Sequence, residues 1–483
     1  MYGRVFMSVI KKRFLIILCL VFICPSFFLS SCKKAEERSS YVLDAVYNDG
    51  VLNGKLRYKF VNHYNQPIDH VDFNLHANAY KENSTTKPVT DLNLAKAYPY
   101  GISYGGIKIL DVEICQQKRE FETFGESDGF LKVSSPTVYD GDSVEIDISF
   151  ETTIPKSKLR LGENEHAVNL ADFFPTVCYF SGNDFLHIPY SPIGDPYFSQ
   201  ISDYFVNLTV PSEYSVASCG KPTFTNVEDL NTTYSYELKS ARDFAFVLSK
   251  NFKVFCQTVN GIAVNYYSFT DEGENNLKTA IKALDFLTNT IGKYPYETLT
   301  IAESGFLYGG MEFSSLCLIN ENLGEKEKQL ALMHEIAHQW WHGGVSNDQN
   351  LCAYIDEGLA EFSVFLMLEN SSLQLAEEMI LNAKQAYKSF FDLQSVLSGN
   401  ANTVMERQLS TFKSEYEYVN LCYNKPLIMF YEYYQKFGKV KAVNSLKKLY
   451  LSNFGKEIYK DEIIKAFGHG DHFNSFIDGK VII

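Results

Sequence analysis

The spacing of apolar residues changes once along this chain, near residue 250. Before that point apolar and polar residues alternate, as in residues 55–60 and 144–148, which is the pattern of half-buried strands. Another strand is predicted at residues 203–210, and it is stopped by Pro211. Since no convincing helix interrupts these runs, we predict an antiparallel β-sandwich or saddle domain over residues 41–251.

Beyond residue 250 the pattern becomes mostly helical. A last pair of strands is predicted within residues 252–269, and apolar residues then recur at helical spacing over residues 277–291. Gly292 stands where a helix cap belongs, and helical patterns continue from Glu325 to the end. The predicted fold class is therefore α+β, with the β domain followed by a mostly helical domain over residues 252–483.

Size and charge exclude several classes of protein. The 483 residues are enough for two to four domains at ~100–200 residues each. Hydrophobic residues make up 46% and charged residues 21%, which excludes a disordered chain. The net charge is −14, and it becomes −18 without residues 1–31, which hold four basic residues and no acid. We therefore expect no nucleic-acid partner, because such proteins carry a basic patch or stripe.

The first 31 residues have the pattern of an export signal. A basic stretch is followed by an almost entirely apolar segment over residues 14–29, which is short for a membrane span and is interrupted by Pro25. Leu29, two serines and Cys32 then resemble the lipobox of bacterial lipoproteins. We predict cleavage before Cys32, a lipid on its thiol as the chain's membrane contact, and a polar tether over residues 32–40. The predicted location is thus the bacterial cell surface; the alternative is an uncleaved signal anchor with an incidental cysteine.

A candidate metal site lies in the helical part. His334 and His338 stand in the motif H-E-x-x-H, so on a helix both imidazoles share a face and can reach one ion. Glu335 lies beside the open position of that ion, where it can act as general base and acid. Seven cysteines remain after Cys32, with no C-x-x-C pair, so cysteine is not expected to be the ligand.

A third ligand follows at a fixed distance. Eighteen residues separate His338 from Glu357, which is predicted to open a second helix packed against the first. Two His and one Glu leave a fourth position free for water, which is typical of a catalytic zinc site. Glu361, one turn later, can accept the other N–H of a ligand histidine; the alternative is an ordinary surface acid.

Two further motifs flank this site. Residues 309–313 read G-G-M-E-F and stand some twenty residues before it, while residues 423–426 read Y-N-K-P. With the zinc motif they resemble the glutamate-zincins, and among these the aminopeptidase N family, whose motifs are G-x-M-E-N and Y-E-K-G. The resemblance runs from about Tyr41 to the C-terminus.

This resemblance implies a thermolysin-like catalytic domain with one Zn²⁺ and the removal of amino-terminal residues from peptides. It implies that Gly309, Gly310, Met311 and Glu312 contact the substrate, with Glu312 holding the substrate amine. It also implies that the Tyr423 hydroxyl stabilises the oxyanion.

The chain departs from the family pattern in three places. Phe313 replaces the family's Asn, and a second amine anchor from the β domain is not evident, although residues 169–175 are its expected neighbourhood. The large helical C-terminal domain of many members is not expected, because the sequence ends about 60 residues after Tyr423. The cleft is therefore expected to be more open.

Alternative readings accompany these assignments. The first alternative is an endopeptidase, because an open cleft with one amine anchor could also cut peptides internally. The second is a surface lipoprotein that only binds peptides, which a broken catalytic set would indicate. Tyr416 and Tyr418 compete with Tyr423 for the oxyanion role. His342 is expected to pack rather than to bind metal, because two glycines end its helix. His469 and His472 are expected to lie in a solvated turn.

Overall fold

The described part of the amino-terminal half of the chain contains three β-sheets. The computed structural model describes residues 37–399 and 401–481. The strands of these sheets are, in chain order, β1 (Ser40–Asn48), β2 (Val51–Val61), β3 (Ile68–Asn74), β4 (Gly106–Ile114), β5 (Gln117–Lys118), β6 (Phe121–Phe124), β7 (Phe130–Val138), β8 (Ser143–Thr153), β9 (Leu161–Glu163), β10 (Val168–Leu170), β11 (Thr176–Val177), β12 (Ser202–Pro211), β13 (Ser215–Ser218), β14 (Lys221–Glu228), β15 (Asn231–Ala241) and β16 (Phe246–Ser249).

The largest sheet has eight strands in the order β14-β15-β12-β1-β2-β8-β4-β5. Buried and exposed residues alternate along β1 and β2, as the sequence pattern predicts for one covered face. The prediction of an antiparallel sheet is wrong for one pair, because β1 runs parallel to β12 from Ser40 opposite Asp203 to Val46 opposite Thr209. Alternation predicts which face is buried and not the direction of the neighbouring strand.

Two four-stranded sheets, β13-β16-β10-β9 and β11-β3-β7-β6, complete this half. Short helical elements that the sequence pattern did not predict lie between the strands. They are a 3-10 turn at His76–Tyr80, helix α1 at Leu94–Ala97 and a 3-10 turn at Glu126–Asp128.

A five-stranded sheet opens the second half. Its strands are β17 (Lys253–Val259), β18 (Ile262–Ser268), β19 (Thr298–Ser304), β20 (Gly310–Phe313) and β21 (Leu316–Asn320), in the order β17-β18-β19-β21-β20. Strand β20 is therefore an edge strand, and it pairs antiparallel with β21. The predicted boundary near residue 251 falls between β16 and β17, but it stays a prediction, because the described residues from Ser39 onwards form one compact unit.

The remaining chain is helical. The helices are α2 (Gly273–Thr290), α3 (Glu325–His338), α4 (Gln349–Cys352), α5 (Tyr354–Ser371), α6 (Leu373–Ser398), α7 (Glu415–Val419), α8 (Lys425–Phe437), α9 (Lys439–Asn453), α10 (Lys460–Phe467) and α11 (Gly470–Ile477). A multi-sheet β domain followed by a helical region confirms the predicted fold class.

Helix α5 is the centre of this region and packs against α3, α6 and α8. Every residue from Tyr354 to Leu368 except Glu361 is buried. Gly358 permits the close approach of α8, since a Cβ there would lie 2.5 Å from Cβ of Pro426. Two π-helical turns, Gln339–Gly344 directly after α3 and Asn420–Asn424 directly before α8, both contact α5. Such turns occur frequently at functional sites.

No helix among the described residues is long and apolar enough to span a membrane. The predicted signal at residues 1–31 and the predicted lipid site at Cys32 lie outside the described residues.

Candidate active site

Three buried side chains converge where α3 ends and α5 begins. His334 and His338 lie one turn apart on α3, and their Nε2 atoms are 2.9 Å apart. Oε2 of Glu357, in the first turn of α5, lies 3.1 Å from Nε2 of His334 and 3.2 Å from Nε2 of His338. The packing of α3 on α5 thus brings together the three predicted metal ligands.

The spacing of these three atoms fits one zinc ion. Bonds of ~2.0–2.1 Å to a tetrahedral ion place its ligand atoms about 3.3 Å apart, close to the observed separations. Burial lowers the pKa of His338, but the charge of Glu312 and the bond to Glu357 raise it to about 9. Burial likewise opposes ionisation of Glu357, yet its bonds to both histidines lower its pKa to about 2. The cluster therefore favours a positive charge at its centre.

Glu361 is not an ordinary surface acid. It is the one half-buried residue in the buried stretch of α5, and its Oε1 lies 2.8 Å from Nδ1 of His334. This contact directs Nε2 of His334 towards the other two ligands and increases the basicity of the ring.

Glu335 faces the same site from α3. It is buried, and burial raises its pKa to about 8, with the charge of Glu312 acting in the same direction and that of His334 against it. Gly310 on β20 leaves room for this carboxylate, because a Cβ at that position would lie 2.5 Å from Oε1 of Glu335.

Tyr423 is the tyrosine that lies at the centre. Its hydroxyl donates a hydrogen bond to Oε1 of Glu357, and its ring stacks on His334 with centroids 5.7 Å apart. Tyr418 contacts Tyr423 edge-on at 5.8 Å. Tyr416 is 43% exposed and packs on Phe390, away from the three ligands.

Glu312 lies on the edge strand β20 and is buried. Its Oε1 accepts a hydrogen bond of 3.1 Å from Nε2 of Gln349, which also donates to Oδ2 of Asp356 at 2.9 Å. Oxygens of Glu312 and Glu335 and a ring nitrogen of His338 lie within 4.8 Å of one another. Gln349 has no motif around it, so its role in holding Glu312 is visible only in the fold.

A cavity of about 170 Å³ opens between Glu312 and the three ligands. Gly310 and Met311 line it with Glu312, while Gly309 lines a second cavity that also contacts His334 and Glu335. Its other charged or hydroxyl-bearing walls include Arg160, Asp195, Glu335, His338, Glu357 and Tyr423. The structure thus brings together predicted residues from both flanking motifs around one cavity.

The other histidines lie outside this arrangement of ligands. His342 is buried and its Nε2 lies 2.9 Å from Oδ2 of Asp243, in keeping with a packing role. His469 is exposed. His472 is half-buried beside Phe473, with Nε2 3.0 Å from the Met429 carbonyl, so the prediction of a solvated turn is wrong for this ring.

Solved structures resemble this fold, although no family model and no curated protein matches the sequence. An M1 zinc metallopeptidase from Deinococcus radiodurans, as a glutamate-to-alanine mutant, matches with a TM-score of 0.67 and 13% identity. The match covers 92% of this chain and 95% of that one. The same mutant bound to the substrate Tyr-Ser-Ala matches over the same shares, with a TM-score of 0.66 and 14% identity. The chain has the fold of the M1 zinc metallopeptidases. The fold class implied by the resemblance to the aminopeptidase N family, a multi-sheet β region followed by a helical region, is therefore confirmed.

Within this M1 fold, the predicted neighbourhood of a second amine anchor is wrong. Asn169 donates to the Leu159 carbonyl at 2.9 Å and accepts from Oγ of Ser304 at 2.7 Å, so its amide is used in packing. No residue from 169 to 175 lines the cavity of Glu312. The β domain instead contributes the half-buried Arg160 and the buried Asp195, which form an ion pair.

Arg160 also contacts the motif G-G-M-E-F of residues 309–313. Its Nε donates to Sδ of Met311 at 3.2 Å, and it lies over the ring of Tyr197. No local pattern marks either partner of the pair, because their side chains meet only when the β domain folds. Phe313, at the other end of the motif, is buried, and Nε2 of Gln339 donates to its carbonyl at 3.0 Å.

Proposed function

We propose that this protein is a zinc-dependent peptidase that removes amino-terminal residues from peptides. The observation that carries the proposal is the meeting of two histidines and Glu357 with Glu335, Tyr423 and Glu312 around one cavity. The solved structures of the same fold support it, since they are M1 zinc metallopeptidases and one holds the substrate Tyr-Ser-Ala. The complete set of groups disfavours a protein that only binds peptides.

His334, His338 and Glu357 would hold the zinc ion. When bound, zinc supplies a Lewis acid that polarises the scissile carbonyl and lowers the pKa of water. Glu335 takes the proton of the attacking water and delivers it to the leaving amine. The Tyr423 hydroxyl turns its hydrogen bond from Glu357 to the oxygen that becomes negative.

Glu312 decides between an exopeptidase and an endopeptidase in this proposal. Its buried carboxylate forms charge-assisted hydrogen bonds with the substrate ammonium. The cavity around it is small, and Arg160, Asp195 and Tyr190 occupy its wall. This volume suits a single residue ahead of the scissile bond, so we propose cleavage after the first residue.

Glu312→Gln should lower kcat/KM for free-amine aminoacyl substrates about 30-fold. Truncating one partner of a buried charge pair costs ~2–5 kcal/mol, and the lower value corresponds to about 30-fold. N-acetylated forms of the same substrates are the control, because they have no ammonium for Glu312 to bind. They should be poor substrates of the natural enzyme and lose little more in the variant. Equal cleavage of free and acetylated peptides by the natural enzyme would instead support the endopeptidase alternative.

Tyr423→Phe should lower kcat about 10²–10³-fold with little change in zinc content, because one oxyanion donor is removed. Steady-state kinetics and metal analysis of the purified variant measure both quantities. Tyr416→Phe is the matched control, since this exposed tyrosine lies away from the ligands, and it should keep normal kcat. Normal turnover in Tyr423→Phe together with a large loss in Tyr418→Phe would show that Tyr418, and not Tyr423, stabilises the oxyanion.

We also propose that the protein is exported and anchored at the bacterial cell surface by a lipid on Cys32. The support is the sequence pattern of residues 1–32 alone. Cells that express the natural chain should incorporate labelled fatty acid into it and retain it in the membrane fraction. Cys32→Ser should abolish both signals, and a natural chain that carries no label or starts at another residue would contradict the proposal.

A further inference from the structure

We infer that Glu312, Asp356, His342 and Gln349 form a second site for a divalent cation, and that Zn²⁺ bound there competes with the substrate amine for Glu312. The cation site depends only on the geometry of these four side chains. The competition rests on the proposed function, because it requires Glu312 to be the group that holds the amine.

Three of the four side chains meet in the protein interior. An oxygen of Glu312, an oxygen of Asp356 and a ring nitrogen of His342 lie within 4.8 Å of one another, and all three residues are buried. Bonds of ~2.1 Å to an octahedral ion place its ligand atoms about 3–4.2 Å apart, so small movements of the side chains would enclose an ion. Glu312 also forms a set with Glu335 and His338, but His338 is a ligand of the first zinc. The set with Asp356 and His342 shares no ligand with that zinc, so both ions can be bound at once.

The imidazole of His342 is oriented for such an ion. Its Nε2 lies 2.9 Å from Oδ2 of Asp243, while its Nδ1 is buried and has no hydrogen-bond partner among the described residues. When Nε2 carries the proton and donates to Asp243, Nδ1 keeps the lone pair with which a neutral histidine binds a metal. A carboxylate behind the ring is the usual partner of a metal-ligating histidine. Packing explains the bond to Asp243, but it leaves the cost of a buried, unpaired Nδ1 unexplained.

The amide of Gln349 lies between the two carboxylates. Its Nε2 donates to Oε1 of Glu312 at 3.1 Å and to Oδ2 of Asp356 at 2.9 Å. Its Oε1 is buried and has no partner in the part of the chain that the structure describes. An uncharged NH₂ group thus stands where two carboxylate oxygens would attract a cation. Half a turn of the amide would put Oε1 in place of the nitrogen and supply a fourth ligand atom.

The donor atoms narrow the choice of ion. Carboxylate and amide oxygens suit Mg²⁺ and Mn²⁺, whereas an imidazole suits Zn²⁺ and its neighbours in the first transition series. Zn²⁺ should therefore bind more tightly than Mn²⁺, and Ca²⁺, which takes oxygen ligands, should bind least. Glu312 lines the small cavity, which gives the ion its way in. Because the ion uses the carboxylate that would hold the peptide ammonium, the two exclude each other.

The test of the cation site starts from enzyme that holds one equivalent of zinc, verified by metal analysis. Equilibrium dialysis against rising concentrations of free Zn²⁺ should show the uptake of a second equivalent. His342→Gln should weaken this second binding at least about tenfold and keep the first equivalent. The new amide can still bond to Asp243, so the packing of the side chain is retained.

Asp356→Asn is a second variant with the same expected effect, in case one substitution disturbs folding. His472→Gln is the matched control, because His472 is also a histidine shielded from solvent in part but lies outside the cluster. It should take up the second equivalent as the natural chain does. Uptake of only one equivalent by the natural chain, or a second equivalent that both cluster variants bind as tightly, would overturn the cation site.

Steady-state kinetics test the competition. At a free zinc concentration about ten times the second dissociation constant, KM for a free-amine aminoacyl substrate should rise about tenfold with little change in kcat. In His342→Gln the same concentration should raise KM at most about twofold, and an equal concentration of Ca²⁺ should not raise KM of the natural enzyme. A second zinc that binds at these residues without raising KM would overturn the competition. If enzyme with one zinc cleaves no peptide, the proposed function and the competition fail together, and dialysis alone decides the cation site.

Discussion

Glu335→Gln should lower kcat at least about 10²–10⁴-fold, which is the range that a positioned general acid and base contributes. The variant should keep its zinc. The substitution leaves both histidines and Glu357 intact but removes the group that takes the proton of the attacking water. The amide has nearly the shape of the carboxylate, so the space beside Gly310 stays filled. Turnover and metal content are measured on the same preparation.

Glu327→Gln is the matched control for this variant. Glu327 lies on the same helix α3, two turns earlier, and is exposed, so the substitution removes the same charge without touching the site. It should keep normal kcat. Near-normal turnover in Glu335→Gln would refute the proposed mechanism.

Glu357→Ala should lose zinc and activity together. Without Oε2 of Glu357 only the Nε2 atoms of His334 and His338 remain, and two nitrogens 2.9 Å apart on one helix do not complete a tetrahedral site. Metal analysis after gel filtration should find little zinc in the variant. A strong chelator should produce the same loss of activity in the natural enzyme, reversed by added zinc.

Glu361→Gln provides a graded comparison. Glu361 touches His334 at Nδ1 and is not a ligand, so zinc affinity should fall about 10–100-fold, less than in Glu357→Ala. A full equivalent of tightly bound zinc in Glu357→Ala would contradict the assignment of Glu357 as a ligand.

The parts of the site that the sequence predicts are close together along the chain. His334, Glu335 and His338 share one helix, and the 3.6-residue period of a helix alone places both imidazoles on one face. Glu357 needed one more step, the packing of a second helix against the first, which its apolar stripe predicts. For these residues local geometry is sufficient, because few conformations are open to a helix.

Residues that depend on contacts between distant segments were harder to predict or were missed. Spacing could not choose between Tyr418 and Tyr423, and the π-helical turn Asn420–Asn424 sets the direction of Tyr423 towards Glu357. Gln349 holds Glu312 through a single hydrogen bond and carries no motif.

By itself the sequence determined the fold class and predicted that His334, Glu335, His338 and Glu357 meet at one site, because hydrophobic period and helical spacing are local properties of the chain. Only the tertiary structure decided that β1 runs parallel to β12 and that Arg160 and Asp195 reach the cavity from the β domain. The physical reason is the same for both. An alternating strand has the same pattern whichever way its neighbour runs, and a side chain reveals its distant partner only after the intervening chain has folded between them.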